Sequence, residues 1–92
     1  MNSTEHNRRR FERLVLSESA IAVDETGFRL GRVSAAGGGG MQVDAASSDA
    51  LGQMPSGARL SVTVVEPGSA TTNTFDVEVC YVHGNTVGMK FL

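Results

Sequence analysis

A strict alternation of apolar and other residues near the C-terminus constrains this chain more than any other feature. In one segment every second residue is apolar, so that Phe75, Val77, Val79 and Tyr81 alternate with Asp76, Glu78 and Cys80. A period of two places successive side chains on opposite faces of a β-strand. The segment is therefore predicted to be a strand with one face on a core.

Turn signals divide the rest of the chain into similar short segments. Pro55-Ser56-Gly57 precedes a segment in which Leu60, Val62 and Val64 share one face, and His83-Gly84-Asn85 precedes the last one. The small residues from 34 to 40 are expected to connect two strands, and 45–53 is expected to be a connection with one helical turn. Short strands separated by turns are typical of an all-β fold, here a small six-stranded antiparallel β-barrel. The predicted strands are 14–23, 28–33, 41–43, 58–66, 75–81 and 87–91.

Charge is distributed unevenly along the chain. Residues 1–13 hold four Arg against two Glu, a net charge of +2, whereas residues 14–92 hold four cations against eight carboxylates, a net charge of −4. General nucleic-acid binding needs an extended cationic surface, which this distribution does not provide. The pattern instead favours one anionic ligand held by a flexible arginine-rich arm, residues 1–13, on a barrel domain, residues 14–92.

Cysteine and histidine content limits the chemistry available to the chain. Cys80 is the only cysteine, so no intramolecular disulfide can form and the chain suits a reducing cytosol. We interpret Cys80 as a buried structural thiol. His6 and His83 have no partners at metal-ligand spacing. We therefore expect no metal site. The sequence also shows no nucleophile–base pair, so we expect no enzymatic activity and no cofactor.

The chain carries no apolar run near the roughly 20 residues needed to span a bilayer. The polar N-terminus, MNSTEHNRRR, is not followed by the apolar region of a signal peptide. We therefore expect a cytoplasmic protein without membrane insertion.

Two sequence motifs lie in the first 37 residues of the chain. Arg-Arg-Arg-Phe-Glu-Arg at 8–13 leads into the first predicted strand, and Gly-Arg-Val-Ser-Ala-Ala-Gly occupies 31–37. The first resembles the RxxxR signature of PilZ domains, with Arg9 and Arg13 as the matching arginines. The second is similar to the (D/N)xSxxG signature of that family, with Ser34 and Gly37 matching.

The C-terminal half supports the same resemblance. The sequence Val-Gly-Met-Lys-Phe at 87–91 resembles the closing GhxF strand of PilZ domains. The sequence at 55–60 resembles the loop that opens their fourth strand. The resemblance runs from Arg8 to Leu92 in the order of the family.

The resemblance implies a barrel that binds the bacterial second messenger cyclic di-GMP. Arginine donors match phosphate oxygens and the O6 and N7 atoms of guanine, so Arg9 and Arg13, assisted by Arg8, would grip the ligand. Ser34 and Gly37 would line its second side. Binding would order the arm and alter a surface that a downstream protein partner reads.

Two departures from the family pattern bear on this function. Arg32 stands where the family has Asp or Asn, and arginine cannot accept hydrogen bonds from N1–H and N2–H₂ of guanine. Arg32 could instead address O6/N7 or a phosphate. Residues 38–40 separate Gly37 from Met41, whereas the family places a hydrophobic residue directly after the motif glycine. A longer, more flexible loop and a β-bulge both account for this insertion.

Three interpretations of function remain. A cyclic di-GMP receptor leads; a degenerate PilZ module for protein interaction, for example in pilus assembly, is the alternative; and the arm could contact RNA or an acidic protein face. Tyr81 is near the position of an aromatic residue at the family's binding surface, where it could flank a guanine or belong to the barrel wall. Oligomeric state is left open.

Overall fold

The computed structural model describes residues 20–68 and 72–92 of the chain. The predicted arm, 1–13, and the first part of the first predicted strand, 14–19, lie outside the described residues. The described elements, in chain order, are β1 Ile21–Val23, β2 Arg29–Gly37, β3 Gly40–Ala45, α1 Ser48–Gln53, β4 Arg59–Val65, β5 Thr72–His83 and β6 Thr86–Phe91.

The six strands form a closed antiparallel barrel, as the sequence predicts. The strands follow each other around the barrel in the order β1, β2, β3, β6, β5 and β4, and pairing of β4 with β1 closes it. Closure gives each described strand two neighbours.

The barrel interior is built mainly from valine. Alternation in β4, β5 and β6 turns Val62 and Val64, Val77 and Val79, and Val87 and Met89 inward, which confirms the predicted face of β4. The short helix α1 lies against β2 and β3 and adds the fully buried Ala50 to the core. The buried core residues are Ala20, Ala22, Leu30, Val33, Met41, Val43, Ala50, Met54, Val62, Val64, Val77, Val79, Val87 and Met89.

The glycine-rich stretch after β2 is not a long flexible loop. β2 continues to Gly37, which pairs with Gly40, so only Gly38 and Gly39 form the turn. The backbone of residues 35–37 pairs with β3. A bulge between Val33 and Ala35, with Ser34 as the extra residue, shifts the register before pairing resumes. The expectation that 34–40 is a connection is therefore wrong for 34–37. The bulge lies at Ser34 and not in the inserted residues 38–40, for which the sequence left a flexible loop and a bulge open.

A second bulge changes which residues of β5 face the core. The register shifts between Val79 and Tyr81, so one extra residue interrupts the alternation that holds from Val77 to Val79. Cys80 and Tyr81 are both exposed as a result, Tyr81 by 44%. The predictions of a buried thiol at Cys80 and of Tyr81 on the face of Val77 are wrong, because the bulge reverses the alternation.

Candidate functional site

A shallow groove of about 420 Å³ lies on the outer wall of the barrel, across β2, β3, β6 and β5. The register places Ala35 opposite Gln42, Gln42 opposite Gly88, and Gly88 opposite Tyr81, so these four residues form one row across the strands. A methyl group or no side chain projects from several of these positions, which leaves the wall concave. The small residues that line the groove are Ala35, Ala36, Gly37, Gly40 and Gly88.

Tyr81 forms one wall of this groove and is fixed in position. Its ring lies over Gly88, where a Cβ atom would overlap the ring atoms Cε2 and Cζ. Its hydroxyl accepts a 2.8 Å hydrogen bond from Nε2 of Gln42. The ring is thus held by β6 below and by β3 at its tip. This arrangement gives the groove a rigid, partly exposed aromatic surface.

A charged cluster lies in the next row of the outer wall. Arg32 pairs with Asp44 across β2 and β3, and Asp44 with Thr86 across β3 and β6. Nη2 of Arg32 donates to Oδ2 of Asp44 at 3.0 Å, and Oγ1 of Thr86 donates to Oδ1 at 3.4 Å. The side chains of Arg32 and Asp44 are 51% and 38% exposed, so a ligand can reach both. Each carboxylate oxygen therefore has one partner and further acceptor capacity.

A third row, on the other side of the groove, carries two cations. Gly40 is opposite Lys90, Lys90 is opposite Glu78, and Glu78 is opposite Arg59. Nε of Arg59 lies 3.5 Å from Oε1 of Glu78. The exposed Lys90 stands next to Gly40, which lines the groove. A ligand in the groove would therefore have an ammonium group on this side.

The sequence-predicted site residues divide between described and undescribed parts of the chain. Arg32, Ser34 and Gly37 all lie on β2, and Gly37 lines the groove. Oγ of Ser34 donates to the carbonyl oxygen of Gln42 at 3.4 Å, which secures the bulge. Arg8, Arg9 and Arg13 lie outside the described residues, so their place in the site stays a prediction.

Close backbone approach requires glycine at a position that the motif comparison passed over. A Cβ atom at Gly40 would overlap the carbonyl oxygen of Met89 on β6. Gly40 is followed directly by the buried Met41. Position 40, the first residue of β3, therefore requires glycine because β3 lies close to β6 there.

Sequence reasoning also missed Gln42 and Asp44. Both alternate with Met41 and Val43, which are buried, so the period of two in β3 placed them on the outer wall. Their partners Tyr81 and Thr86 are 39 and 42 residues away in sequence. No local pattern reveals contacts at such separations.

The described residues thus form a closed six-stranded barrel with an open groove on its outer wall. A family model described as PilZ domain matches residues 7–92, so the chain belongs to the PilZ domain family. PilZ domains are in general cyclic di-GMP receptors and act as binding or adaptor modules, not as enzymes. No curated protein and no solved structure gives a significant match.

Two further findings concern the described residues alone. Within 20–68 and 72–92, no three or more His, Cys, Asp and Glu residues cluster so that they could hold a metal ion. No helix in those ranges has the length and apolar character required to cross a membrane.

Proposed function

We propose that this chain is a cyclic di-GMP receptor that binds its ligand in the groove beside Tyr81. The observation that carries the proposal is the fixed Tyr81 ring bordering a concave wall of small residues. A guanine base can lie flat in such a groove and stack on the aromatic ring, an interaction available to any purine. Lys90, beside the groove, would face the ligand's anionic phosphates.

We expect the arm of the chain to approach this groove from the side of β2. The carbonyl oxygen of Ala20 accepts a 3.0 Å hydrogen bond from the backbone N–H of Val33, next to the Ser34 bulge. The described chain therefore begins beside β2. Arg13 is seven residues earlier, and seven residues span at most about 25 Å. Arg9 and Arg13 would then close over the ligand from the side of β2, with Arg8 assisting.

Ser34 and Gly37 contribute to the opposite side of the ligand in this proposal. Gly37 lines the groove and leaves room for the ligand's backbone. Ser34 keeps the bulged strand in register through its bond to Gln42. Ordering of the arm over the ligand would create the surface that a downstream protein partner recognises, in the cytoplasm of a bacterium.

A specific observation favours a second candidate, a PilZ interaction module without cyclic di-GMP binding. In the motif register that ends on Gly37, Arg32 occupies the acceptor position. Counting the same spacing back from Gly40 places Ala35 and Gly37 at the acceptor and hydroxyl positions. In both registers β2 supplies no carboxylate or amide to accept hydrogen bonds from guanine.

Isothermal titration of the full chain with cyclic di-GMP at moderate salt separates the two candidates. The receptor predicts saturable heat at about 50 μM ligand or below, and absence of heat supports the interaction module instead. Arg9→Ala and Arg13→Ala should each weaken binding by at least about tenfold, since hydrogen bonds to charged groups contribute roughly 1.5–3 kcal/mol. If both variants bind cyclic di-GMP as tightly as the native chain does, the assigned role of the arm is rejected.

The arm supplies its own matched control. Arg10→Ala removes the same charge from the same segment without touching the RxxxR spacing. It should change the affinity by no more than about threefold, the scale of an exposed, screened charge. Single-stranded RNA in excess should fail to displace cyclic di-GMP. Displacement by RNA, with a steep dependence on salt, would identify the arm as an RNA contact.

A further inference from the structure

We propose that Asp44 recognises the guanine edge of the ligand and that Arg32 positions it. This inference rests on the proposed function. Asp44 lies on the outer wall of β3, two residues from Gln42, which lines the groove. Alternation along the strand puts both side chains on the same face. Asp44 does not itself line the groove, so a base stacked on Tyr81 would reach it by extending past Gln42.

The carboxylate of Asp44 matches guanine chemically. Guanine presents N1–H and N2–H₂ as adjacent donors, and a carboxylate offers two oxygens with about four acceptor sites. Each oxygen of Asp44 uses one of these, toward Arg32 and toward Thr86. Adenine has an unprotonated N1 at the same edge, whose lone pair would face the negative carboxylate. Asp44 therefore selects guanine over adenine.

The contacts of Asp44 explain why arginine occupies position 32. The bond from Arg32 holds one oxygen of Asp44 at 3.0 Å, and the bond from Thr86 holds the other. Together these donors fix the plane of the carboxylate before a ligand arrives, which lowers the entropy lost on binding. The acceptor that β2 lacks is thereby supplied by β3. Arg32 acts through Asp44 and is a positioning residue.

The nearby Glu78 is less suited to the same task. Its side chain is 27% exposed, it lies near Arg59 of β4, and its cross-strand neighbour on β6 is Lys90. Glu78 is thus flanked by a cation on each side. It lies in the row of Gly40 and Lys90, across the groove from the row of Asp44. Asp44 remains more exposed and stands nearer Gln42 along its own strand.

Titration with three ligands tests the proposal. The probes are cyclic di-GMP, its inosine analogue, which keeps O6 and N1–H but lacks the 2-amino group, and cyclic di-AMP. The native chain should prefer cyclic di-GMP to the inosine analogue by about tenfold, the worth of one hydrogen bond to a charged acceptor. Cyclic di-AMP should bind more weakly still.

Substitution of Asp44 should remove this discrimination. Asp44→Ala should weaken cyclic di-GMP binding by about 10- to 100-fold and bring the two guanine-type ligands within about threefold of each other. Asp44→Asn, which keeps one acceptor and the side-chain shape, should fall between Asp44→Ala and the native chain. Arg32→Ala should also lower the preference for cyclic di-GMP, because the carboxylate loses its orientation. A merely structural role for Arg32 would weaken all three ligands equally.

The matched control is Asp76→Ala, which removes an exposed carboxylate from the outer wall of β5 away from the groove. It should keep both affinity and preference. If the native chain binds no cyclic di-GMP, the proposed function fails. If the native chain binds it and Asp44→Ala and Asp44→Asn retain the preference for it, the receptor stands and the role of Asp44 is overturned. Should Asp44→Ala not fold, Asp44→Asn and Arg32→Ala decide the point through the same ratio.

Discussion

The side-chain amide of Gln42 donates a 2.8 Å hydrogen bond to the hydroxyl of Tyr81, joining β3 to β5 across the intervening strand β6. The bond passes over Gly88, the residue of β6 that pairs with both partners. The absence of a side chain at Gly88 therefore lets two strands that are not neighbours meet on the outer wall. The contact shapes the proposed base-binding surface.

Gly88→Ala should displace the Tyr81 ring. The added Cβ would overlap ring atoms of Tyr81, so the ring must swing away and the bond to Gln42 must break. We expect at least about tenfold weaker cyclic di-GMP binding, the cost of one lost stacked base. Tyr81 is the only tyrosine and the chain has no tryptophan, so tyrosine fluorescence reports the displacement directly.

Gly52→Ala is the control for this substitution, since open space surrounds a Cβ atom at that position. It should leave fluorescence and affinity unchanged. Native affinity together with native fluorescence in Gly88→Ala would contradict the described position of the ring.

Substitutions of Tyr81 separate stacking from hydrogen bonding. Tyr81→Phe keeps the ring and loses only an exposed hydrogen bond, so the affinity should fall by no more than about fivefold. Tyr81→Ala removes the aromatic surface and should cost about 1–3 kcal/mol of binding free energy. The dissociation constants for cyclic di-GMP measure both effects. Equal losses in the two variants would mean that the hydroxyl, and not the ring, contributes the affinity.

Gly40→Ala should destabilise the barrel itself. Its Cβ atom would overlap the backbone carbonyl oxygen of Met89, and a paired strand cannot move aside as a flexible side chain can. We expect a loss of about 2–3 kcal/mol in the free energy of unfolding, within the range for overpacked sites. Urea denaturation measures this loss.

Gly39→Ala is the matched control in the same turn, because no atom lies near its added Cβ and its φ is not positive. It should stay within about 0.5 kcal/mol of the native chain. Equal stability of the two variants would exclude the close approach of β3 to β6 at Gly40.

Asp24 should make the stability of the first hairpin depend on pH. The hydroxyl of Thr26 donates to its carboxylate, and with backbone N–H groups of the same turn it lowers the pKa of Asp24 below the ordinary 3.8. A lowered folded-state pKa means that the ionised carboxylate stabilises the fold above the unfolded-state value and that this contribution is lost as pH falls through the folded-state pKa.

Asp24→Asn keeps the shape of the side chain and removes the charge. Its urea midpoint should lie below that of the native chain at pH 7, and the difference should shrink as the pH falls below 3.8. A difference that grows on acidification would contradict the direction of the shift.

The sequence predicted the barrel because alternation is a local signal. In β4, Val62 and Val64 are two residues apart and both point inward. This pattern alone predicts which face is buried. The bulges at Ser34 and Cys80 escaped prediction. Whether Ser34 or Cys80 is an extra residue depends on its partner strand, and the chain does not reveal that partner locally.

The candidate site was only partly visible in the sequence for the same reason. Arg32, Ser34 and Gly37 stand in one motif and lie on one strand. The case for Asp44, Gln42 and Tyr81 as site residues rests on cross-strand contacts. These contacts exist only after the barrel closes.

The central claim, that cyclic di-GMP binds in the groove beside Tyr81, is tested most directly by an NMR titration of the ¹⁵N-labelled full chain. We predict saturable amide shifts at Gln42, Asp44, Tyr81 and Gly88, together with Arg9 and Arg13 of the arm. The opposite wall, represented by Ser61 and Thr63 of β4, should not respond. Saturable shifts confined to that wall, or no shifts at about 500 μM ligand, would contradict the account.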